Sequence, residues 1–176
     1  DWTYTDTDKY LGIKGGKAGS SHGHMDAGSF VYDAYGVRWS MDFGLQSYTT
    51  LESVLAGLGG NLWDMGQNSM RWDVFRLNNL NNLNHSTISI NDARHRVDGA
   101  ATLTTTINTA TELGATFDLT EVVSDQAASA TRTVKIVNDK DLVVMDEIKA
   151  RTDKSAKVRW CMVTPAVPTV ESNRIV

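Results

Sequence analysis

The sequence has one cysteine, two prolines and no apolar run long enough to cross a bilayer as a helix. Cys161 therefore has no disulfide partner within the chain, and its apolar surroundings between Val158 and Val163 predict a buried, inert thiol. No signal-peptide pattern opens the sequence. With 176 residues, the chain is long enough for one domain with its own hydrophobic core.

A dominant charge is also missing. The formal net charge is -4, and lysine and arginine form no cluster along the chain. Nucleic-acid-binding domains usually carry a basic patch, so nucleic acid is not expected as a partner. The charge also bears on anionic ligands, because the field of the whole protein does not attract them and local cations must do so.

Strong helical patterns are scarce, whereas short segments with strand character recur at near-regular spacing. Turn signals such as Asp98-Gly99 and Asn138-Asp139 separate the later segments. This pattern predicts an all-β fold, an antiparallel β-sandwich, as a single domain over residues 1–176. Strands are expected at 29–32, 37–43, 87–90, 101–108, 114–123, 130–137, 142–149 and 157–163.

Residues 47–84 interrupt the strand pattern. Residues 47–60 predict a short helix that ends at the glycines between Gly57 and Gly60. Residues 61–84 are rich in Asn, Trp and Gly and predict one long irregular loop, with a single strand at 72–77. Long loops in compact domains are often functional, so this region is a candidate to line a site.

Two of the four histidines lie close together, in a His-Gly-His sequence formed by His22 and His24 and followed by Asp26. In an extended strand, residues two apart face the same side, so these three side chains are expected to project together. His85 follows the Asn-rich segment and opens the next predicted strand. It is a third imidazole that the fold could bring to the same place.

The predicted hairpin adds a carboxylate. A three-residue loop at 34–36 would pair Asp33 with Val37 and place Asp42 on the same side as His24. Two imidazoles and a carboxylate from separated points of the chain match a zinc-type site with an open fourth position. The same donors suit iron or manganese, so another divalent metal is an alternative. His95 lies in a charged turn and is expected to be exposed to solvent.

The same residues resemble the hallmark motifs of the heparinase II/III-like polysaccharide lyases. The segment from Lys14 to Phe30 contains a run of small residues, His-Gly-His and then Asp-x-Gly-Ser-Phe. Asp42-Phe43-Gly44, followed by Tyr48, is similar to a second motif of this family. His85-Ser86-Thr87 is similar to a third motif, in which the family usually has asparagine at the second position. The segment from Arg132 to Asp146 resembles a pair of strands late in the family's domain.

The resemblance implies a β-sandwich domain that follows an α/α toroid, and the toroid is absent from residues 1–176. It implies that His24, Asp42 and His85 bind a metal, usually zinc, and that His22 lies at the catalytic cleft. The parent enzyme would cleave uronic-acid-containing glycans by β-elimination in the periplasm or outside the cell. This chain would form one wall of the cleft and would be inactive without the toroid.

Three further residues are candidates for contact with an acidic polysaccharide or oligosaccharide. Aromatic rings can stack on sugars, and a guanidinium can grip a carboxylate with two hydrogen bonds. On these grounds Tyr48, Trp72 and Arg76 are predicted to bind substrate. His22 is predicted to act as the base or as a donor to the substrate carboxylate, because histidine side chains can both accept and donate a proton near neutral pH.

Two other interpretations fit parts of the sequence. A cupin-like metalloenzyme would also use two histidines and a carboxylate on a β-fold. Its second motif, a glycine-proline-glycine followed by histidine, is missing, because both prolines lie beyond residue 160. A non-catalytic carbohydrate-binding module with a structural metal is the other alternative.

Overall fold

The computed structural model describes residues 5–175, and most of its regular structure is β-strand. The strands of this part of the chain are β1 (Lys9–Ile13), β2 (Gly16–Lys17), β3 (Phe30–Ala34), β4 (Val37–Ser40), β5 (Ile88–Ile90), β6 (Ala100–Asn108), β7 (Glu112–Asp118), β8 (Ala127–Val137), β9 (Asp141–Ala150), β10 (Val158–Trp160), β11 (Val170–Glu171) and β12 (Arg174–Ile175). The helices are α1 (Tyr48–Gly57), α2 (Arg71–Leu77), α3 (Thr120–Val123) and a 3₁₀ turn at Asn82–Asn84.

The two larger sheets are antiparallel throughout. One has the order β1-β3-β4 and the other β2-β6-β7-β8-β9. Tyr32 and Ala34 of the first sheet pack with Ile136 of the second in a small buried cluster. Two-stranded pairs, β10 with β5 and β11 with β12, complete the strands. The predicted all-β antiparallel sandwich is confirmed.

The β3–β4 hairpin differs from the predicted register. Its loop has two residues, Tyr35 and Gly36, both with positive φ (54° and 71°), and it pairs Ala34 with Val37. Hairpins favour this turn because its twist matches that of the strands. The prediction that Asp33 lies opposite Val37 is therefore wrong by one position. A bulge at Trp39 then adds a second shift of one residue. The residues after it therefore point to the side of the sheet that the prediction gave them.

The hydrophobic core lies where the helices meet the five-stranded sheet. Leu51 and Leu55 of α1 are one helical turn apart and buried, as are Trp72 and Phe75 of α2. They belong to one cluster with residues of the sheet such as Ala130. Burial of each leucine stabilises the fold by about 1.5–3 kcal/mol.

The helix predicted at 47–60 is confirmed as α1, and its end follows the glycines. Gly59 has a φ of 78°, and the N–H of Gly60 donates to the carbonyl of Leu55 at 2.7 Å. The strand predicted at 72–77 is wrong, because this segment is the helix α2. Helix α2 ends in the same way as α1. Asn79 has a φ of 60°, and the N–H of Leu80 donates to the carbonyl of Phe75.

Other predicted strands agree with the structure except at their ends. The strand predicted at 114–123 starts earlier and stops at Asp118, after which Thr120–Val123 form α3. The strand predicted at 37–43 stops at Ser40. Cys161 is half-buried rather than fully buried, and this burial raises the pKa of its thiol, which agrees with an inert role.

Candidate metal centre

Three loops of the fold bring four candidate ligands together. His24 and Asp26 lie between β2 and β3, Asp42 follows β4, and His85 follows the 3₁₀ turn. One donor atom from each of the four residues lies within 4.8 Å of the others. The three predicted metal residues are therefore adjacent in space, although up to 61 positions separate them in the sequence.

Two short distances define the centre of the cluster. The Nδ1 atom of His24 lies 3.2 Å from the Nε2 atom of His85. The same Nε2 atom lies 3.2 Å from the Oδ2 atom of Asp42. Because imidazole nitrogens and carboxylate oxygens are the donors that zinc prefers beside thiolates, the set is chemically suited to such an ion.

The tautomer of His85 is set by its second ring nitrogen. Nδ1 of this buried ring lies 2.8 Å from the backbone carbonyl of Asn81 and donates its hydrogen to it. The neutral ring then keeps its lone pair on Nε2, which faces His24 and Asp42. This outer hydrogen bond is the one that metal-binding histidines usually make.

His24 is also prepared to act as a ligand. Burial, followed by the neighbouring His85, lowers the pKa of the His24 imidazole below its ordinary value. The ring is therefore neutral at physiological pH, as metal binding requires. The four donors fit a divalent metal ion, and His24, Asp42 and His85 would hold it.

Asp26 is a fourth donor that the sequence prediction did not include among the ligands. Its side chain is buried, and the Oδ1 atom accepts a hydrogen bond of 2.5 Å from the ammonium of Lys14. The spacing of two residues between His24 and Asp26 was the signal in the sequence that could have identified Asp26 as a ligand. The segment is irregular, so the expectation of a strand at His22, His24 and Asp26 is wrong, although all three residues line the same depression.

A buried arginine holds two of the ligand loops against the sheet. The Nη1 atom of Arg132, on β8, donates at 3.0 Å to the carbonyls of Gly28 and Ser86. Its Nε and Nη2 atoms form a bidentate ion pair with Asp146 on β9, at 2.7 and 2.8 Å. Gly28 has a φ of 75°, and a Cβ there would lie 2.9 Å from Leu119, so only glycine fits this position.

Ser86 replaces the asparagine that is usual in the resembled motif, and its hydroxyl is used structurally. The Oγ atom lies 3.0 Å from that of Ser40 and accepts a 3.0 Å hydrogen bond from the N–H of Val163. These contacts fix the turn after His85 between β4 and the chain near Val163. The replacement therefore keeps the neighbourhood of His85 well anchored.

His22 lies beside the candidate metal ligands but contacts other side chains. Its Nδ1 atom lies 2.8 Å from the hydroxyl of Tyr48. Its ring meets the ring of Trp63 edge-on, with centroids 5.7 Å apart, and Tyr48 and Trp63 also contact each other at 5.8 Å. The indole N–H of Trp63 donates to Glu52 on α1 at 3.0 Å. We call His22, Tyr48 and Trp63 the aromatic cluster.

Three of the four candidate ligands, His24, Asp26 and Asp42, line one shallow depression of about 320 Å³ together with His22. The aromatic cluster is exposed, with Tyr48 41% and Trp63 47% accessible, and it stands next to this opening. The depression is lined by Lys14, His22, Gly23, His24, Asp26, Asp42, Gly44 and Leu45.

The remaining predicted residues are dispersed. Trp72 is fully buried, and its indole N–H donates to the carbonyl of Gly66 at 2.9 Å, so it is a core residue and its predicted contact with substrate is not supported. Arg76 is exposed on α2. The prediction that His95 is exposed is wrong, since its side chain is buried and its Nε2 atom donates to the carbonyl of Ile88 at 2.9 Å.

Comparison with known protein families identifies a match. The sequence model of the family described as "Heparinase II/III-like, C-terminal" matches residues 4–175, which is nearly the whole chain. No curated protein matches the sequence. Among the described residues, no helix is both long and apolar enough to cross a membrane.

Proposed function

The chain belongs to the heparinase II/III-like family as a C-terminal domain, and from this we propose that it is the metal-binding wall of the active-site cleft of a polysaccharide lyase. The proposed reaction is β-elimination on a uronic-acid-containing glycan. An α/α toroid in the same protein would supply the opposite wall. The observation that carries the proposal is that His22 lines the same depression as His24 and Asp42, whose donor atoms cluster with that of the buried His85.

β-Elimination places two demands on the protein. The C5 proton of a uronate is weakly acidic, and its removal builds negative charge on the neighbouring carboxylate. Donors that are already in place must stabilise that charge, and the loss of one such donor typically costs about 10²–10³ in rate. A base must also lie within hydrogen-bond reach of C5.

His22 is the residue that we assign to this chemistry. Its Nδ1 atom is engaged with Tyr48, and its Nε2 atom has no hydrogen-bond partner within residues 5–175. An exposed ring held on one side by a hydrogen bond can present the other nitrogen to a substrate. Nε2 would take the C5 proton, or would donate to the carboxylate if it carries the hydrogen.

Lys14 provides a local cation for an acidic polysaccharide or oligosaccharide. Lys14 lines the depression, although its ammonium is shared with Asp26. Tyr48 stands beside His22, and Arg76 is exposed on α2, so both remain candidates for contact with the glycan. We place the parent enzyme in the periplasm or outside the cell, where such polymers are degraded.

The ion, held by His24, Asp42 and His85 and usually zinc in this family, would neutralise negative charge and cross-link the three ligand loops. Zn²⁺ is our first choice because two imidazoles and carboxylates surround the site, and another divalent metal is the alternative. Because metal binding is coupled to folding, the ion would stabilise the turn that contains His85 against the β3–β4 hairpin.

The proposal is tested by His22→Ala in the protein that joins this chain to its toroid. Formation of unsaturated uronate, followed by ultraviolet absorbance, should fall by about 10²–10⁴, as expected for loss of a general base. Zinc content should stay at the level of the unmodified protein. Full activity in the variant would contradict the assignment of His22. Glycan binding without cleavage in the unmodified protein would instead favour a carbohydrate-binding module.

A further inference from the structure

Arg71 is a buried cation with no carboxylate partner. Its side chain is 1% exposed at the start of α2, and no ion pair to it is formed within residues 5–175. Its guanidinium carbon lies 4.9 Å from the ring centre of Trp72 and 4.6 Å from that of Phe75, which partly offsets the cost of burying the charge. Its Nε atom has no hydrogen-bond partner in the described chain.

The two other guanidinium nitrogens bind backbone carbonyls from separate segments. Nη1 donates to the carbonyl of Leu62, and Nη2 donates to the carbonyl of Ser21 at 2.8 Å. Ser21 and Leu62 lie in segments that are distant in the sequence, and the Arg71 side chain joins them directly. The next residue in each segment is a member of the aromatic cluster, His22 in one case and Trp63 in the other.

Burying the Arg71 guanidinium costs free energy of desolvation, and an apolar side chain would fill the same space without that cost. Methionine has a similar length and makes no demand for hydrogen bonds. What arginine adds is a rigid, planar fork that holds two acceptors at a set separation. The two acceptors are the carbonyls that lead into His22 and Trp63, so the fork sets the spacing of the aromatic cluster.

We propose that Arg71 is a positioning residue, which holds the backbone before His22 at a fixed distance from the backbone before Trp63. The imidazole of His22 is thereby kept against the Trp63 ring and within reach of the Tyr48 hydroxyl. The functional part of this inference rests on the proposed role of His22, while the structural link can be measured independently. Lysine at position 71 offers a single nitrogen in place of the two-nitrogen fork, so it should fix the separation of the two carbonyls less well and give an intermediate result.

The link is tested by NMR on the 176-residue chain. In the unmodified protein, the Nη hydrogens of Arg71 should exchange slowly and show nuclear Overhauser effects to Ser21 and Leu62. Rings of His22 and Trp63 should show an Overhauser effect to each other. That ring contact should be lost in Arg71→Met and weakened in Arg71→Lys. Arg94→Met is the matched control, because Arg94 binds Asp73 on the same helix at 3.1 Å and should leave the contact intact.

Each outcome decides the proposal. A folded Arg71→Met or Arg71→Lys variant with the full ring contact overturns it. If both variants fail to fold, rapid exchange of the Nη hydrogens in the unmodified chain overturns it, and slow exchange with the expected Overhauser effects supports it.

In the protein that includes the toroid, Arg71→Lys should lower kcat by about 10- to 100-fold, as a misplacement of the order of 1 Å does, with little change in KM. Arg94→Met should leave both constants unchanged. Loss of the ring contact without any change in kcat would uphold the link and count against the role of His22. An unchanged ring contact together with a lower kcat would overturn the positioning role of Arg71.

Discussion

The Nδ1 atom of His22 and the hydroxyl oxygen of Tyr48 lie 2.8 Å apart, and the direction of this hydrogen bond decides what His22 can do. If Nδ1–H donates to the Tyr48 oxygen, the neutral ring has its lone pair on Nε2 and can accept a proton there. If the hydroxyl donates instead, Nε2 carries a hydrogen and can only donate. A role for His22 as base therefore requires Tyr48 as an acceptor.

The first prediction removes that hydroxyl. Tyr48→Phe keeps the ring against Trp63 but leaves Nδ1 of His22 without its partner. A neutral hydrogen bond contributes about 0.5–1.5 kcal/mol, so kcat/KM of the toroid-containing protein should fall by up to about tenfold. Tyr35→Phe, in the exposed hairpin turn, is the control and should have no effect. Equal activity in both variants would show that Tyr48 does not orient His22.

The second prediction concerns the metal. Asp42 and Asp64 are both exposed aspartates that cap a turn, accepting from the N–H of Gly44 at 2.7 Å and of Gly66 at 3.0 Å. Only Asp42 also faces His85. Asp42→Asn should therefore weaken Zn²⁺ binding, measured by calorimetric titration, while Asp64→Asn, which loses the same kind of carboxylate, should not. Similar zinc affinities for the two variants would remove Asp42 from the ligand set.

The third prediction tests the Arg132–Asp146 pair behind the ligand loops. Asp146→Asn leaves the guanidinium of Arg132 buried without its compensating charge, which typically costs about 3–5 kcal/mol. Urea denaturation should show this loss in the free energy of unfolding. Asp153→Asn is the control, since Asp153 has the same bidentate geometry with Arg151 at 2.8 and 3.0 Å but is exposed. No measurable loss is expected there, and equal losses would contradict the argument.

Strand positions could be predicted because alternation and turn residues are local signals. The hairpin register could not, since it depends on whether Tyr35 adopts a positive φ and on the bulge at Trp39. The two one-residue shifts add up to two residues, which leaves the facing of the later residues unchanged. As a result, Ser40 still lies on the buried side, and Asp42, beyond the strand, reaches His85.

The helix α2 was missed because seven residues are too few to separate helical from strand periodicity. Arg71, Trp72, Val74 and Phe75 are all buried, so no polar face marks the helix period. Asn79 was the available sign of a helix end, because asparagine often occupies the position of positive φ that follows a helix, as it does here. Arg71 was missed for a related reason, because no pattern in the sequence predicts that a charged residue binds two backbone carbonyls in the core.

His95 is a second residue whose burial the local sequence did not predict. Its charged neighbours predicted exposure, but the fold buries it. The backbone N–H of His95 donates to the Oδ1 atom of Asn82, and the Nε2 atom of the ring donates to the carbonyl of Ile88. Its Nδ1 atom is buried without a partner in the described chain. Burial is the main cause that lowers the pKa of this imidazole from 6.5 to about 4.

The fourth prediction follows from this pKa. Below pH 6.5 the unfolded chain binds a proton at His95, whereas the folded protein resists it until about pH 4. The stability that the neutral ring provides is therefore complete above pH 6.5 and is lost as the pH falls towards 4. From about pH 8 to about pH 5, this residue alone should lower the free energy of unfolding by about 2 kcal/mol.

The measurement compares urea unfolding of the metal-free protein with that of His95→Gln over this pH range. Glutamine does not titrate, so the variant should lose less stability on acidification, although its stability at neutral pH is lower. His24, whose pKa is also lowered, is present in both proteins, and its contribution cancels in the difference. Parallel curves of stability against pH would show that His95 is not the buried neutral imidazole described here.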